Sequence, residues 1–244
     1  MQLAHPLVAA GVHEHSSFRD SPWQAIRRLQ ATVGAMLRLT FGSAEEYDRT
    51  LDAILAIHRR VRGQLREGVG AFPAGTPYSA EDPALVLWVH VTLLQSIPLV
   101  YERLVAPLAE PERDAYCAEA APLAVALGAI PAEVPRTWRA VDGSVDRAIA
   151  AGTLTIGPHA RELASHVLRP PAGIWPAGWA HRLLAIGLLP PALRAAYGFE
   201  WTAAQQRQLD ALVTVVRTIR RRTPAAVALW PGARQRVPTG APRL

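Results

Sequence analysis

Three groupings of histidine carry the chemical possibilities of this chain. The first is His58, in "AIHRRVRG" (residues 56–63). Upstream, Leu51, Ile54 and Leu55 recur at helical spacing and Val61 continues the stripe, so this imidazole stands on a face directed at a core. His90, in "WVHVT", lies in line with Val86, Leu93, Leu94 and Ile97, which makes its face a buried one too. A buried imidazole on an apolar stripe has two uses. It is a hydrogen-bonded packing residue, or it is a ligand held in a dry pocket. A haem needs such a pocket, with one axial nitrogen or sulfur ligand and cations for its propionates. His58 offers the nitrogen, and Arg28, Arg59 and Arg62 offer the cations.

The second grouping is "HEHSS": His13, Glu14 and His15, ahead of the first long helix and expected to form a loop or cap. The third is "HARELASH", where His159, Glu162 and His166 fall three and four residues apart and project from one helical face. That spacing can hold zinc or iron, and it equally suits a solvated face. A non-haem metal enzyme built on either set therefore stays open. There is no H-E-x-x-H, no G-x-S-x-G, no G-x-G-x-x-G and no phosphate-binding loop, which argues against a hydrolase or nucleotide enzyme of standard design.

The elements that must position these residues are helices. Half of the 244 residues are apolar, enough for one substantial core. No run alternates with period two, and Pro and Gly punctuate at helix-length intervals. A first long helix opens with Asp20 or Ser21 as N-cap and Pro22 in its first turn, and closes at Gly42. A second runs from Ser43 to Gly63, and the two are placed as walls of the slot. The loop "GVGAFPAGTPYSAED" follows as a possible cover for a site. Next is a long helix N-capped by Asp82, with Pro98 expected to kink it. Further helices lie in 110–128, 134–152, 157–170, 181–189 and 190–198, and the last long one spans Thr202–Arg222. The expectation is an all-α fold in one domain over 1–244, with the tail after about 231 loosely ordered.

Composition limits the partners. The net charge is +6, carried by arginine without a single lysine. Basic residues cluster once, in "RTIRRRTP", at a helix end where they complement the dipole, so nucleic-acid binding is not expected. The most apolar stretch, Pro83 to Val100, contains Trp88, His90, Gln95 and Pro98 and reads as a buried core helix, not an integral membrane segment. One cysteine, Cys117, excludes an internal disulfide framework, and with no evident signal peptide it implies a cytoplasmic setting.

The stretch from "AAGVHEHSS" through "AIHRRVRG", together with "PYSAEDPALVLWVHVTLLQS", resembles the rubber oxygenase (latex-clearing protein) and mycophenolate-pathway oxygenase family. "ARELASHVLRPP" and "LLPPALRAAYGFEW" match its weaker later blocks, so the likeness spans roughly residues 7 to 235. The resemblance implies an all-helical fold with a globin-like core and a b-type haem whose iron is held by one histidine. It implies use of dioxygen on an apolar, isoprenoid-like or polyketide-like substrate, with alkene cleavage to carbonyl products in one branch. Residue by residue, the H-x-x-V-R-G histidine falls on His58 as iron ligand, with Arg62 beside the cofactor. The W-V-H-x-T histidine falls on His90, packed near the haem. The oxygen-facing Arg and Thr fall on Arg28 and Thr32, and the acid proposed as a base falls near Glu14. The rubber-cleaving branch has a Lys just before that Thr; here the position is Ala31. The readings beside this one are a non-enzymatic haem carrier or sensor, a non-haem metal enzyme, and a helical binding protein without cofactor.

Overall fold

The computed structural model describes residues 1–16, 22–169 and 175–224. The expected N-cap at Asp20 or Ser21, the start of the Pro/Trp-rich segment and the tail after 231 lie outside them. Among the described residues there are ten α-helices, a short 3-10 turn at Gln2–Ala4 and one two-stranded sheet. The helices are α1 (Pro6–His15), α2 (Pro22–Phe41), α3 (Ala44–His58), α4 (Pro83–Leu104), α5 (Glu110–Ala126), α6 (Trp138–Ala150), α7 (Pro158–Val167), α8 (Trp175–Gly187), α9 (Pro191–Ala196) and α10 (Ala203–Arg222). The fold is all-α, as the periodicity requires.

Local chemistry sets the ends. Ser43 and Glu46 form a reciprocal cap on α3: the Ser43 hydroxyl accepts from the Glu46 N–H at 3.2 Å and the Glu46 carboxylate accepts from the Ser43 N–H at 2.8 Å. Asp82 caps α4 by accepting from the Ala84 N–H at 2.9 Å. Thr202 and Gln205 repeat the reciprocal arrangement on α10.

The core has its centre where α4, α5 and α6 meet, around Val91, Leu94, Cys117, Val141 and Val145. A second cluster joins α1, α7 and α9 through Ala9, Ile156, Ala160, Leu193 and Tyr197. A third joins α8 to α10 through Leu183, Leu209 and Val213. α4 is long and apolar enough to cross a membrane by length and composition. It instead packs on α5, α6 and α10, and buries Trp88, His90 and Thr92 among its apolar residues.

Four expectations are corrected. "HEHSS" is not a loop: His13, Glu14 and His15 form the last turn of α1, which starts at Pro6 and buries Leu7, Ala9 and Ala10. The second long helix stops at His58, not Gly63. Residues 62–64 pair antiparallel with 77–79 as strands β1 (Arg62–Gln64) and β2 (Pro77–Ser79), with Gly63 opposite Tyr78. The chain therefore contains a strand pair where none is expected, too short to show a period. Finally, the helix placed at 181–189 begins at Trp175 and ends at Gly187.

Candidate functional site

α2 and α3 form a hairpin about Gly42–Ser43, fastened where Arg38 Nε donates to Thr50 Oγ1 at 3.3 Å. Arg28 lies ten residues from Arg38 along α2, and His58 eight residues from Thr50 along α3. At about 1.5 Å per residue, they stand about 15 Å and about 12 Å from that contact. The hairpin thus brings Arg28 level with the end of α3 that bears His58. Thr32 is one turn from Arg28 on the same face of α2, and both are exposed.

α3 packs on α2 and makes no more than marginal contact with α4. Exposed apolar side chains stand on three helices: Leu29 on α2 (60% exposed), Ile57 on α3 (59%), and Ile97 and Val100 on α4. Ile97 and Val100 follow His90 by seven and ten residues, on one helical stripe.

His58 on α3 and His90 on α4 each have a buried ring nitrogen. His58 is half-buried and its Nδ1 is buried without a hydrogen-bond partner. Burial holds its pKa below the usual histidine range, against the opposing pull of Glu81. His90 is 8% exposed, its Nε2 is buried without a partner, and burial pushes its pKa down to about 4. Buried polar atoms are nearly always paired, so two orphaned imidazole nitrogens, one on α3 and one on α4, call for an explanation.

The segment after His58 explains its own sequence. Val61 N–H donates to the His58 carbonyl at 3.0 Å, turning the chain out of α3. The Arg62 guanidinium folds back onto the Arg59 carbonyl, donating from Nε at 3.0 Å, and so serves the exposed C-terminus of α3. His15 Nε2 lies 3.2 Å from the Arg62 carbonyl oxygen, tying α1 to β1. Gly63 has no room for a side chain, because an added Cβ would meet the Tyr78 hydroxyl at 2.5 Å. Val61 in turn lies against Gly11 of α1.

Glu14 is held, not open. Its Oε2 accepts from the Tyr78 hydroxyl at 2.6 Å, and its Oε1 lies 3.2 Å from Arg66 Nε. The Tyr78 hydrogen bond, opposed by burial and helped by Arg66, keeps its pKa below the ordinary carboxylate value.

The two histidine motifs, which begin 146 positions apart at His13 and His159, come together, which sequence spacing did not reveal. His13 stacks on His159 with ring centroids 4.0 Å apart, and His13 Nε2 is 2.9 Å from Glu162 Oε2. His166 Nε2 is 3.9 Å from the other oxygen of Glu162. The set is hydrogen-bonded rather than convergent: among the described residues no group of three or more His, Cys, Asp or Glu is arranged to hold a metal ion. Sequence reasoning also passed over His5. Its Nδ1 is buried without a partner, its ring tilts against Phe72 and Trp88, and burial lowers its pKa to about 4. Only its place before Pro6, at a helix start, marks it in the sequence.

The chain is an all-α protein with buried imidazole nitrogens that lack hydrogen-bond partners on α3 and α4. The family follows from comparison. The chain belongs to the family described as ER-bound oxygenase mpaB/B′/Rubber oxygenase, catalytic domain, whose model matches residues 1–218. That is an oxygenase catalytic domain, which makes the chain an oxidoreductase of the oxygenase class. Two proteins described as uncharacterised, from Mycobacterium bovis and Mycobacterium tuberculosis, are each 30% identical over 233 residues, covering 92% of this chain and 86% of the relative. No solved structure matches the chain.

Proposed function

We propose that this chain is a haem b-dependent oxygenase of the cytoplasm, acting with dioxygen on a small apolar substrate of isoprenoid-like or polyketide-like character. The observation that carries the reading is the pair of orphaned, buried imidazole nitrogens, His58 Nδ1 and His90 Nε2.

The residues present fit a haem. His58, at the end of α3, is the ligand to iron. Its neighbours Arg59 and Arg62 supply cations for carboxylates at the rim. Leu29, Ile57, Ile97 and Val100 supply apolar wall. His90 packs beside the cofactor from α4. When bound, the haem supplies the redox-active iron on which dioxygen chemistry depends.

The remaining work falls to the protein. Arg28 and Thr32 share one face of α2 and offer hydrogen-bond donors for oxygen atoms in the site. The apolar stripe excludes water and orients an alkene or a similarly greasy chain. Glu14 is the acid assigned to proton abstraction, and it first has to be released from Tyr78 and Arg66. Ala31 places a methyl group next to Thr32, so no ammonium competes for the oxygen side. Cleavage of a carbon–carbon double bond is the leading reaction.

The test is a visible absorption spectrum of the chain expressed with haem precursor, followed by a pyridine haemochrome assay. A Soret band at about one b-type haem per chain, lost in His58→Ala, supports the reading. An unchanged spectrum in His58→Ala removes His58 as ligand, and a folded protein that takes up no haemin removes the reading altogether. Haem without oxygen consumption on any alkene would leave a carrier or sensor.

A further inference from the structure

The charge of this chain is unevenly placed. Residues 1–210 hold 19 arginines against 20 acids, whereas residues 211–244 hold seven arginines and no acid. The positive excess therefore begins within α10, and an asymmetry of this kind suits a surface for an acidic partner. α10 buries one face against α8, through Leu209 and Val213. Its opposite face is open. Ala211, Val215, Ile219 and Arg222 follow one another at steps of four, four and three residues, so they share one line along the helix. Val215 is 54% exposed and Ile219 61%, and Arg221 and Arg222 are exposed at the end of the line. We propose that this outward face of α10, from Ala211 to Arg222, docks on the surface of an anionic lipid bilayer.

The groups around this face leave its charge in place. The one acid of α10, Asp210, turns to Arg103 and Gln206. Arg217 turns inward and donates to the Glu102 carbonyl at 2.6 Å. The helices packed most closely on α10 are α8 and α4, and their one acid, Glu102, is held by Arg113. Among the described residues no carboxylate pairs with Arg207, Arg220, Arg221 or Arg222. Aliphatic side chains along the face and arginines at its end match the two layers of a membrane surface. Acyl chains receive Val215 and Ile219, and acidic headgroups meet the guanidinium groups. A nucleic acid supplies the charge but offers nothing to Val215 and Ile219, because stacking on bases takes aromatic side chains. A second copy on the same face would set arginines against a surface of their own sign, with no acid to meet them.

This surface needs neither haem nor substrate, so its test is independent of the oxygenase reading. The full chain is sedimented with vesicles of phosphatidylcholine and phosphatidylserine, and with vesicles of phosphatidylcholine alone. Partition onto the acidic vesicles is expected, weakening as salt is raised, with little onto the neutral ones. At about fivefold per arginine, Arg221→Gln with Arg222→Gln should lower it by up to about 25-fold. Val215→Ser with Ile219→Ser should lower it by about tenfold or more, because the apolar surface that enters the bilayer is lost. Val215→Thr with Ile219→Thr replaces that pair if it does not fold. All four side chains are exposed, so thermal unfolding should stay near that of wild type. No partition onto acidic vesicles overturns the proposal. So does undiminished partition in the Val215 and Ile219 variant, which would make the contact one of charge alone, as for a nucleic acid. A wild-type dimer in solution that the same variant dissolves also overturns it, since a second copy then covers the face.

Discussion

Gly63 and Tyr78 face each other across the strand pair, and a Cβ on Gly63 would lie 2.5 Å from the Tyr78 hydroxyl oxygen. The tyrosine cannot swing away cheaply. It is 4% exposed, and its hydroxyl is bonded to Glu14. Gly63→Ala is therefore expected to destabilise the fold by about 1–3 kcal/mol, the usual cost of overpacking. Denaturant unfolding with an unchanged slope measures it. A variant as stable as wild type would show that the strand pair shifts freely and does not fix the end of α3.

Tyr78→Phe isolates the other half of that contact. It leaves Gly63 with space and strips Glu14 of its shortest hydrogen bond. Hydrogen bonds to charged groups contribute about 1.5–3 kcal/mol, and Glu14 is partly exposed, so about 1 kcal/mol is expected at neutral pH after screening. The pKa of Glu14 is depressed in the fold, so its contribution is present above the unfolded carboxylate value and disappears as pH falls through the folded one. The wild-type and Phe proteins should thus differ at pH 7 and converge as pH falls through the depressed folded value of Glu14. A difference that persists in acid would assign the loss to packing, not to Glu14.

Much of this arrangement is readable from sequence because it is local. Ser43, Asp82 and Thr202 announce helix starts through side chains that act within three residues, and the stripe of α4 places His90 on a buried face, whereas on α3 Leu51, Ile54, Leu55 and His58 are only half-buried. What the sequence hides is long-range or short. Strands of three residues have no period to detect, so α3 seemed to run on to Gly63. "HEHSS" reads as a polar turn because its helix is made by Pro6 to Gly11, whose small residues pack on α7 instead of showing a wide stripe. The meeting of His13 with His159 is a property of topology, and no pattern within either segment encodes it.

His90 should be a liability in the protein without cofactor. Its Nε2 is buried and unpaired, and its pKa of about 4 lies below the unfolded histidine value. The unfolded chain binds that proton first. Stability is full above about pH 6.5 and is lost as pH falls towards the folded value, by up to about tenfold in the folding constant per pH unit. His90→Phe removes the titrating group and fills similar space. The variant is expected to be at least as stable as wild type at pH 7 and to lose less between pH 6.5 and pH 4.5 when unfolding is measured in the absence of haem. If it is markedly weaker at neutral pH, His90 has a hydrogen-bonded role in the core.

Arg28 and Thr32 make the sharpest test of the oxygenase reading, because both are exposed on α2 and neither builds the core. Replacing them should spare folding, and haem content should stay near that of wild type, since His58 is the proposed ligand. Activity should fall nonetheless. Loss of one well-placed donor at a developing charge costs about 100-fold or more in turnover in favourable cases, and Thr32→Val changes little but the hydroxyl. Oxygen consumption with an isoprenoid alkene, normalised to bound haem, is the measurement. At least a tenfold drop in Thr32→Val and in Arg28→Gln, with unchanged haem stoichiometry, places the chemistry on the α2 side of the opening. Wild-type turnover in both would move the reacting oxygen elsewhere, and full haem loss in Arg28→Gln would make Arg28 a holder of the cofactor instead of a donor to the reaction.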